Sequence, residues 1–358
     1  MPTPPSPCRD GNAGASVATG YAAGERVDGG KDAGLPSTLA STGFPGEERP
    51  PGATEASIAM NNTAVSYALG LGVPKDEAKA IEWYAKAAHA GNTGSMHSLG
   101  VMLALGQGCV RDGPLAVEWL ERAARGGYVP AMHSLGVVYI EGQGIPVDPA
   151  RAAEWFTEAA KAGHAGAMCA VGRLHADGHG VPQDGARAAG WLLAGAHAGR
   201  PEAMNALGCL FAMGQIMPKH EAAAAAWFAK AVDLKHVPAM RNLAVLLFYG
   251  RGVDKDELAA GDLFTCAAAA GDLDSLHQLG LMYTEGTGVG KNEETAFQCF
   301  ARAAGAGHAQ AMFELACMFG RGRGVTKDEK NAEEWMIKAE QQGEERARAF
   351  LAEWAKQW

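Results

Sequence analysis

His175-x-Asp177-x-His179, with His164 and Cys169 close by in sequence, is the densest group of metal-ligand residue types in the chain. Ligands to one zinc ion must converge to about 2.1 Å from it. The surrounding pattern argues against that here, because His175 occupies a position that reads as core-facing and His179 falls in a glycine turn. Gly286-Thr-Gly-Val-Gly290-Lys291 looks like a phosphate loop. It lacks the four-residue gap between glycines and the hydroxyl residue after lysine, and it follows a helical pattern rather than a strand. Gly320-Arg-Gly-Arg-Gly324 is the same turn with arginine in its variable positions. There is no nucleophile elbow and no H-E-x-x-H. No cofactor, metal or catalytic residue is expected, and the chain reads as a non-enzyme.

The period that explains these motifs runs through most of the chain. Gly70, Gly106, Gly142, Gly178, Gly214, Gly250, Gly286 and Gly322 stand 36 residues apart, and Ala80 to Ala332 repeat with the same step. Such a period marks a solenoid, whose units bury their apolar faces against their neighbours. In Ala131–Glu141, Met132, Leu135, Val138 and Tyr139 make one helical face. Gly142 and Gly144 end that helix, Asp148 is an N-cap with Pro149 behind it, and a second helix through Trp155 and Phe156 closes at Gly163. Mid-helix Gly100, Gly136, Gly172, Gly208 and Gly280 each cost about 1 kcal/mol against alanine, so a close helix approach, with the alanine column as the matching surface, is expected there. Trp83, Trp119, Trp155, Trp191, Trp227 and Trp335 share one slot and read as core, with looser packing where Leu263 and Cys299 replace them.

Composition narrows the partners. A net charge of −9 and the lack of a basic run argue against nucleic acid and an anionic membrane surface. Seven cysteines, with no matched pair inside a repeat, fit reduced thiols and a cytoplasmic setting. Met1-Pro2-Thr3-Pro4-Pro5 has neither a basic nor an apolar leader region, so no secretory signal is expected. Residues 1–58, rich in Pro, Gly, Ala, Ser and Thr, read as a disordered tail. Eight repeats then start at 59, 95, 131, 167, 203, 239, 275 and 311 and run to 346. Residues 347–358, with Phe350, Trp354 and Trp358 four apart, read as a C-terminal capping helix.

The run A-x3-L-G-x2-Y-x2-G-x-G-V/I, followed by D, A, W, A-A and G, resembles the Sel1-like repeat, a relative of the tetratricopeptide repeat. Repeats three and seven match best. Repeat five departs most, with Ile216 for the second glycine, His220 for aspartate and Lys235 for the closing glycine. The resemblance implies an all-α, right-handed α/α superhelical solenoid that serves as an adaptor or scaffold. It also implies that first helices line a concave groove. Transferred by register, the candidate groove residues two before the Leu slot are Asn61, His97, His133, Cys169, Asn205, Arg241, His277 and Phe313. Two after it come Val65, Val101, Val137, Arg173, Cys209, Val245, Leu281 and Cys317. Of these, Asn61, His97, His133, Arg173, Asn205, Arg241, His277 and Phe313 are the expected contacts to a protein or peptide segment. The rival readings are a hydrolase with a site in the groove and a regulatory subunit that recruits partners through its tail. Oligomeric state is not legible.

Overall fold

In the computed structural model the described residues are 54–354, with side chains described through Leu351. The expected disordered tail lies outside them for residues 1–53, while its last residues, from Glu55 to Ile58, are the start of a helix. The described chain is helical throughout, with no strand. The pairs of the first four repeats are α1 (Glu55–Leu69) with α2 (Glu77–His89), α3 (Thr93–Leu105) with α4 (Gly113–Arg125), α5 (Val129–Glu141) with α6 (Pro149–Lys161), and α7 (Ala165–Asp177) with α8 (Gly185–His197). Those of the last four are α9 (Pro201–Met213) with α10 (Glu221–Asp233), α11 (Val237–Tyr249) with α12 (Glu257–Ala269), α13 (Leu273–Glu285) with α14 (Glu293–Gly305), and α15 (Ala309–Arg321) with α16 (Glu329–Gln341). A final helix, α17 (Glu345–Trp354), follows and buries Ala347 completely. The chain divides into two compact units, one through Arg200 and one from Pro201, each with four repeats.

Capping sets the ends of these helices. Asp76, Asp112, Asp148, Asp184, Asp256, Asn292 and Asp328 precede the second helices, and each side chain accepts the N–H three residues on. In repeat five His220 does the same through Nδ1, 3.0 Å from the Ala223 N–H. The second turn glycine has a packing reason. At Gly288 and Gly324 an added Cβ would come within 2.1 Å of the carbonyl oxygens of Glu257 and Glu293, which open the second helix of the preceding repeat. The turn of one repeat thus rests directly on the backbone of the last.

After each second helix the chain turns through the left-handed region, normally at glycine. Lys235 takes that position in repeat five with φ 60°, the one non-glycine with positive φ among the described residues. A side chain there costs about 1–2 kcal/mol, and glycine returns part of that as unfolded-state entropy. Lys235→Gly should therefore stabilise the second unit by about 1 kcal/mol, read as a raised denaturant midpoint with an unchanged slope.

In every repeat the side chain after the tryptophan slot is buried more deeply than the one in the slot. Tyr84, Leu120, Phe156 and Leu192 in the first unit, and Phe228, Phe264, Phe300 and Met336 in the second, are all buried. Leu120, Phe156, Leu192, Phe228 and Phe300 fill the space that the mid-helix glycines leave, while repeats one, six and eight carry Ala64, Ala244 and Ala316 in the glycine slot. A Cβ on Gly136, Gly208 or Gly280 would lie 2.5–2.6 Å from the ring of Phe156, Phe228 or Phe300. One on Gly100 or Gly172 would also meet the carbonyl of Ala116 or Ala188 at 3.1–3.2 Å. The helices do approach closely at these glycines, and the large side chain occupies the gap.

In the tryptophan slot Trp119 is buried, while Trp83, Trp155, Trp191, Trp227 and Trp335 are half-buried. Basic side chains three residues on cover several of them: Lys86 over Trp83 at 4.3 Å, Arg122 over Trp119 at 4.7 Å, Lys230 over Trp227 at 3.9 Å and Lys338 over Trp335 at 4.2 Å. Cys299 is buried and Leu263 half-buried, and the large neighbours Phe264 and Phe300 keep those two repeats filled.

Candidate protein-binding surface

The column two residues before the Leu slot faces the next repeat. In the first unit Asn61 accepts a hydrogen bond from Ser95 Oγ at 2.8 Å. His97 Nε2 is hydrogen-bonded to Ser134 Oγ at 2.9 Å, and its ring lies 5.4 Å from Tyr128. His133 is buried, with ring centroids 5.3 Å from Phe156 and 4.5 Å from His164. In the second unit Asn205 accepts from Asn242 Nδ2 at 2.9 Å. Arg241 donates to Asp272 at 2.8 Å and to Asp274 at 2.6 Å. His277 is buried against Phe300 and His308. Phe313 is half-buried under the Arg346 guanidinium at 4.4 Å. Polar variety in this column is thus tied to repeat-to-repeat bonding.

The column two residues after the Leu slot is more open. Val65, Val101, Val137 and Arg173 are half-exposed in the first unit, as are Cys209, Leu281 and Cys317 in the second, where Val245 is buried. Four residues further on, one turn along the same face, Leu69 is 60% exposed and Leu105 41%. The register transfer did not include this column. Its character changes from repeat to repeat (Leu69, Leu105, Glu141 and Asp177, then Met213, Tyr249, Glu285 and Arg321), and that was the signal to read.

In the first three repeats Val65, Leu69, Val101, Leu105 and Val137 make an apolar strip, which ends at the charged Glu141, Arg173 and Asp177. Helices α3 and α5 touch one another directly, so their open faces are continuous. Charge is segregated as well: α1, α3 and α5 carry Glu55 and Glu141 and no lysine or arginine. Their partners α2, α4 and α6 carry Lys79, Lys86, Arg122, Arg125, Arg151 and Lys161 with matching acids. Burial raises the Glu141 carboxyl above its ordinary value, against the hydrogen bond from Gln143.

Catalytic geometry is harder to build here. Asp274 and His308 pair at 3.0 Å as an acid–imidazole dyad would. Yet His308 Nδ1 accepts the Ala311 N–H at 3.1 Å as a helix cap, so both ring nitrogens are engaged and neither faces a substrate. The residues of the zinc candidate have separate structural tasks. His164 caps α7 through the Ala167 N–H, Cys169 is buried, and His175 is buried with Nδ1 3.3 Å from the Pro182 carbonyl. Among the described residues no group of three His, Cys, Asp or Glu side chains is placed to hold a metal ion. No described helix is long and apolar enough to cross a membrane.

A helical hairpin repeated eight times, its first helices bonded to the next repeat within each unit, belongs to one known module. The Sel1 repeat model matches residues 57–92, 94–128, 129–164, 165–199, 201–236, 237–272, 273–308 and 309–344. The chain belongs to the Sel1-repeat family. Among solved structures it is similar to a protective antigen of uropathogenic Escherichia coli that displays an SLR fold, with 29% identity and a TM-score of 0.70. That match covers 82% of this chain, which spans 63% of the antigen's length. It is also similar to a Sel1 repeat protein from Oxalobacter formigenes, at 26% identity and a TM-score of 0.70, over 84% of this chain and 87% of the other. None of the curated proteins compared is a match. The Sel1 solenoid is a fold typical of protein–protein interaction scaffolds.

Proposed function

We propose that this Sel1-repeat protein is a non-enzymatic adaptor that holds a protein segment against its first helices and so helps assemble a complex. The observation that carries this reading is the uncharged, half-open apolar strip of Val65, Leu69, Val101, Leu105 and Val137. Exposed contiguous apolar surface on an otherwise charged protein favours a protein partner. Asn61, His97 and Arg173 flank the strip as polar contacts, with His133 buried beside it. Asn205, Arg241 and Phe313, with buried His277, hold the same place in the second unit. A reducing, cytoplasmic setting suits the free cysteines. A hydrolase site in the groove would need an ionisable group with a free proton-accepting atom, and the Asp274–His308 pair offers none.

The test is affinity capture from the native extract with wild type, a Leu69→Glu/Leu105→Glu variant and a Glu118→Ala/Glu158→Ala control on the charged helices. Specific partners should fall at least tenfold with the leucine variant and persist with the control. Partners that survive the leucine variant but vanish on deletion of residues 1–53, which leaves α1 and its cap intact, would move recognition to the N-terminal segment.

A further inference from the structure

We propose that the stacked rings of His277 and His308 form an acid-sensitive joint between the seventh and eighth repeats: neutral, they clamp α13 to the start of α15, and protonated they loosen it. The ring centroids are 5.1 Å apart at 29°, and His277 also lies 5.7 Å from Phe300 of α14. His277 is 5% exposed, and its Nε2 is buried without a hydrogen-bond partner. The His308 proton must sit on Nε2, which donates to Asp274, because Nδ1 accepts the Ala311 N–H. A second proton at Nδ1 would set two N–H groups against each other and strip the cap from α15.

The charged groups around the pair are Asp274 on its own helix, Asp272 in the turn before it, Arg241 from α11 and Arg346 from α17. Burial, then the His308 and Arg346 charges, push His277 down to about 3, while Asp274 pulls weakly the other way. The hydrogen bond from His308 holds the Asp274 carboxyl below its usual range, so it stays charged as acid is added. Since the His277 value is lowered on closing, the open joint binds more protons below the ordinary histidine value of about 6.5. The joint must therefore weaken as pH falls from there. The first unit repeats the motif four repeats earlier, with His133 and His164 stacked at 4.5 Å beside Phe156. There the slots of Asp274, Arg241 and Asp272 hold Pro130, His97 and Tyr128.

The experiment is amide exchange of α15 in the full chain at pH 7.0 and 5.0, corrected for intrinsic rates, in wild type and His277→Phe. Phenylalanine already fills this slot in repeat eight, as Phe313. The opening equilibrium of wild type should rise about thirtyfold over this range, the 1.5 pH units below about 6.5 at one proton each. His277→Phe should rise less than threefold. Equal rises in the two proteins overturn the proposal. Ring titration of wild type by carbon-13 NMR is a second readout, with a polar His277→Asn variant used only to assign the resonance. A histidine neutral down to pH 5 and absent from His277→Asn spectra supports the joint, and titration of all eleven histidines between pH 6 and 7 sinks it.

Discussion

Replacing Phe228 by alanine is expected to lower the stability of the second unit by about 3–5 kcal/mol, whereas Trp227→Ala costs roughly 1–2. The larger residue by volume is the weaker contributor because of where each lies. Phe228 is fully buried and sits 2.6 Å from where a Cβ of Gly208 would be, so nothing else can fill its space. Trp227 is half-buried, with Lys230 laid over its outer face. Urea denaturation followed by circular dichroism separates the two variants. A tryptophan variant as damaged as the phenylalanine variant would mean that the repeat is held from the tryptophan side instead.

Arg241→Ala is expected to cost about 2–3 kcal/mol, at or below the low end for a broken buried pair. It leaves Asp272, whose side chain is 12% exposed, and Asp274, at 38%, without their cation. The opening at Asp274 admits water and keeps the figure from rising further. The loss also links repeats: Arg241 lies on α11, while Asp272 and Asp274 belong to the junction with α13. A chain that keeps its denaturation midpoint but loses partner binding would make Arg241 a ligand contact instead of a clasp. This variant therefore separates the two roles open to the column that contains Asn61, His97 and His277.

The repeat, its turns and its caps were legible because each rests on local chemistry. The glycine at a left-handed turn and the Asp at an N-cap are chosen by bonds made within a few residues. Even the defects of repeat five are local, and His220 and Lys235 take over the cap and the turn with the backbone those slots demand. Azimuth was less legible. A 36-residue period identifies a column but not which way it points, and Trp227 and Phe228 share that period equally. The same ambiguity hid the role of the column before the Leu slot. Its polar variety reads equally well as a surface chosen by a ligand or as bonds between repeats, and Ser134, Asn242 and Asp272 become its partners only once the hairpins are stacked.

The sequence by itself determined eight helical Sel1 repeats, because near-neighbour hydrogen bonds and apolar spacing specify each hairpin. Tertiary structure alone decided which large side chain fills the glycine gap, which histidines stack and where the apolar strip lies open. The glycine gap is filled across 20 residues when the two helices of one hairpin close on each other. The histidine pairs and the strip depend on residues some 30 or more positions apart, which meet only when each hairpin has its neighbour to pack against.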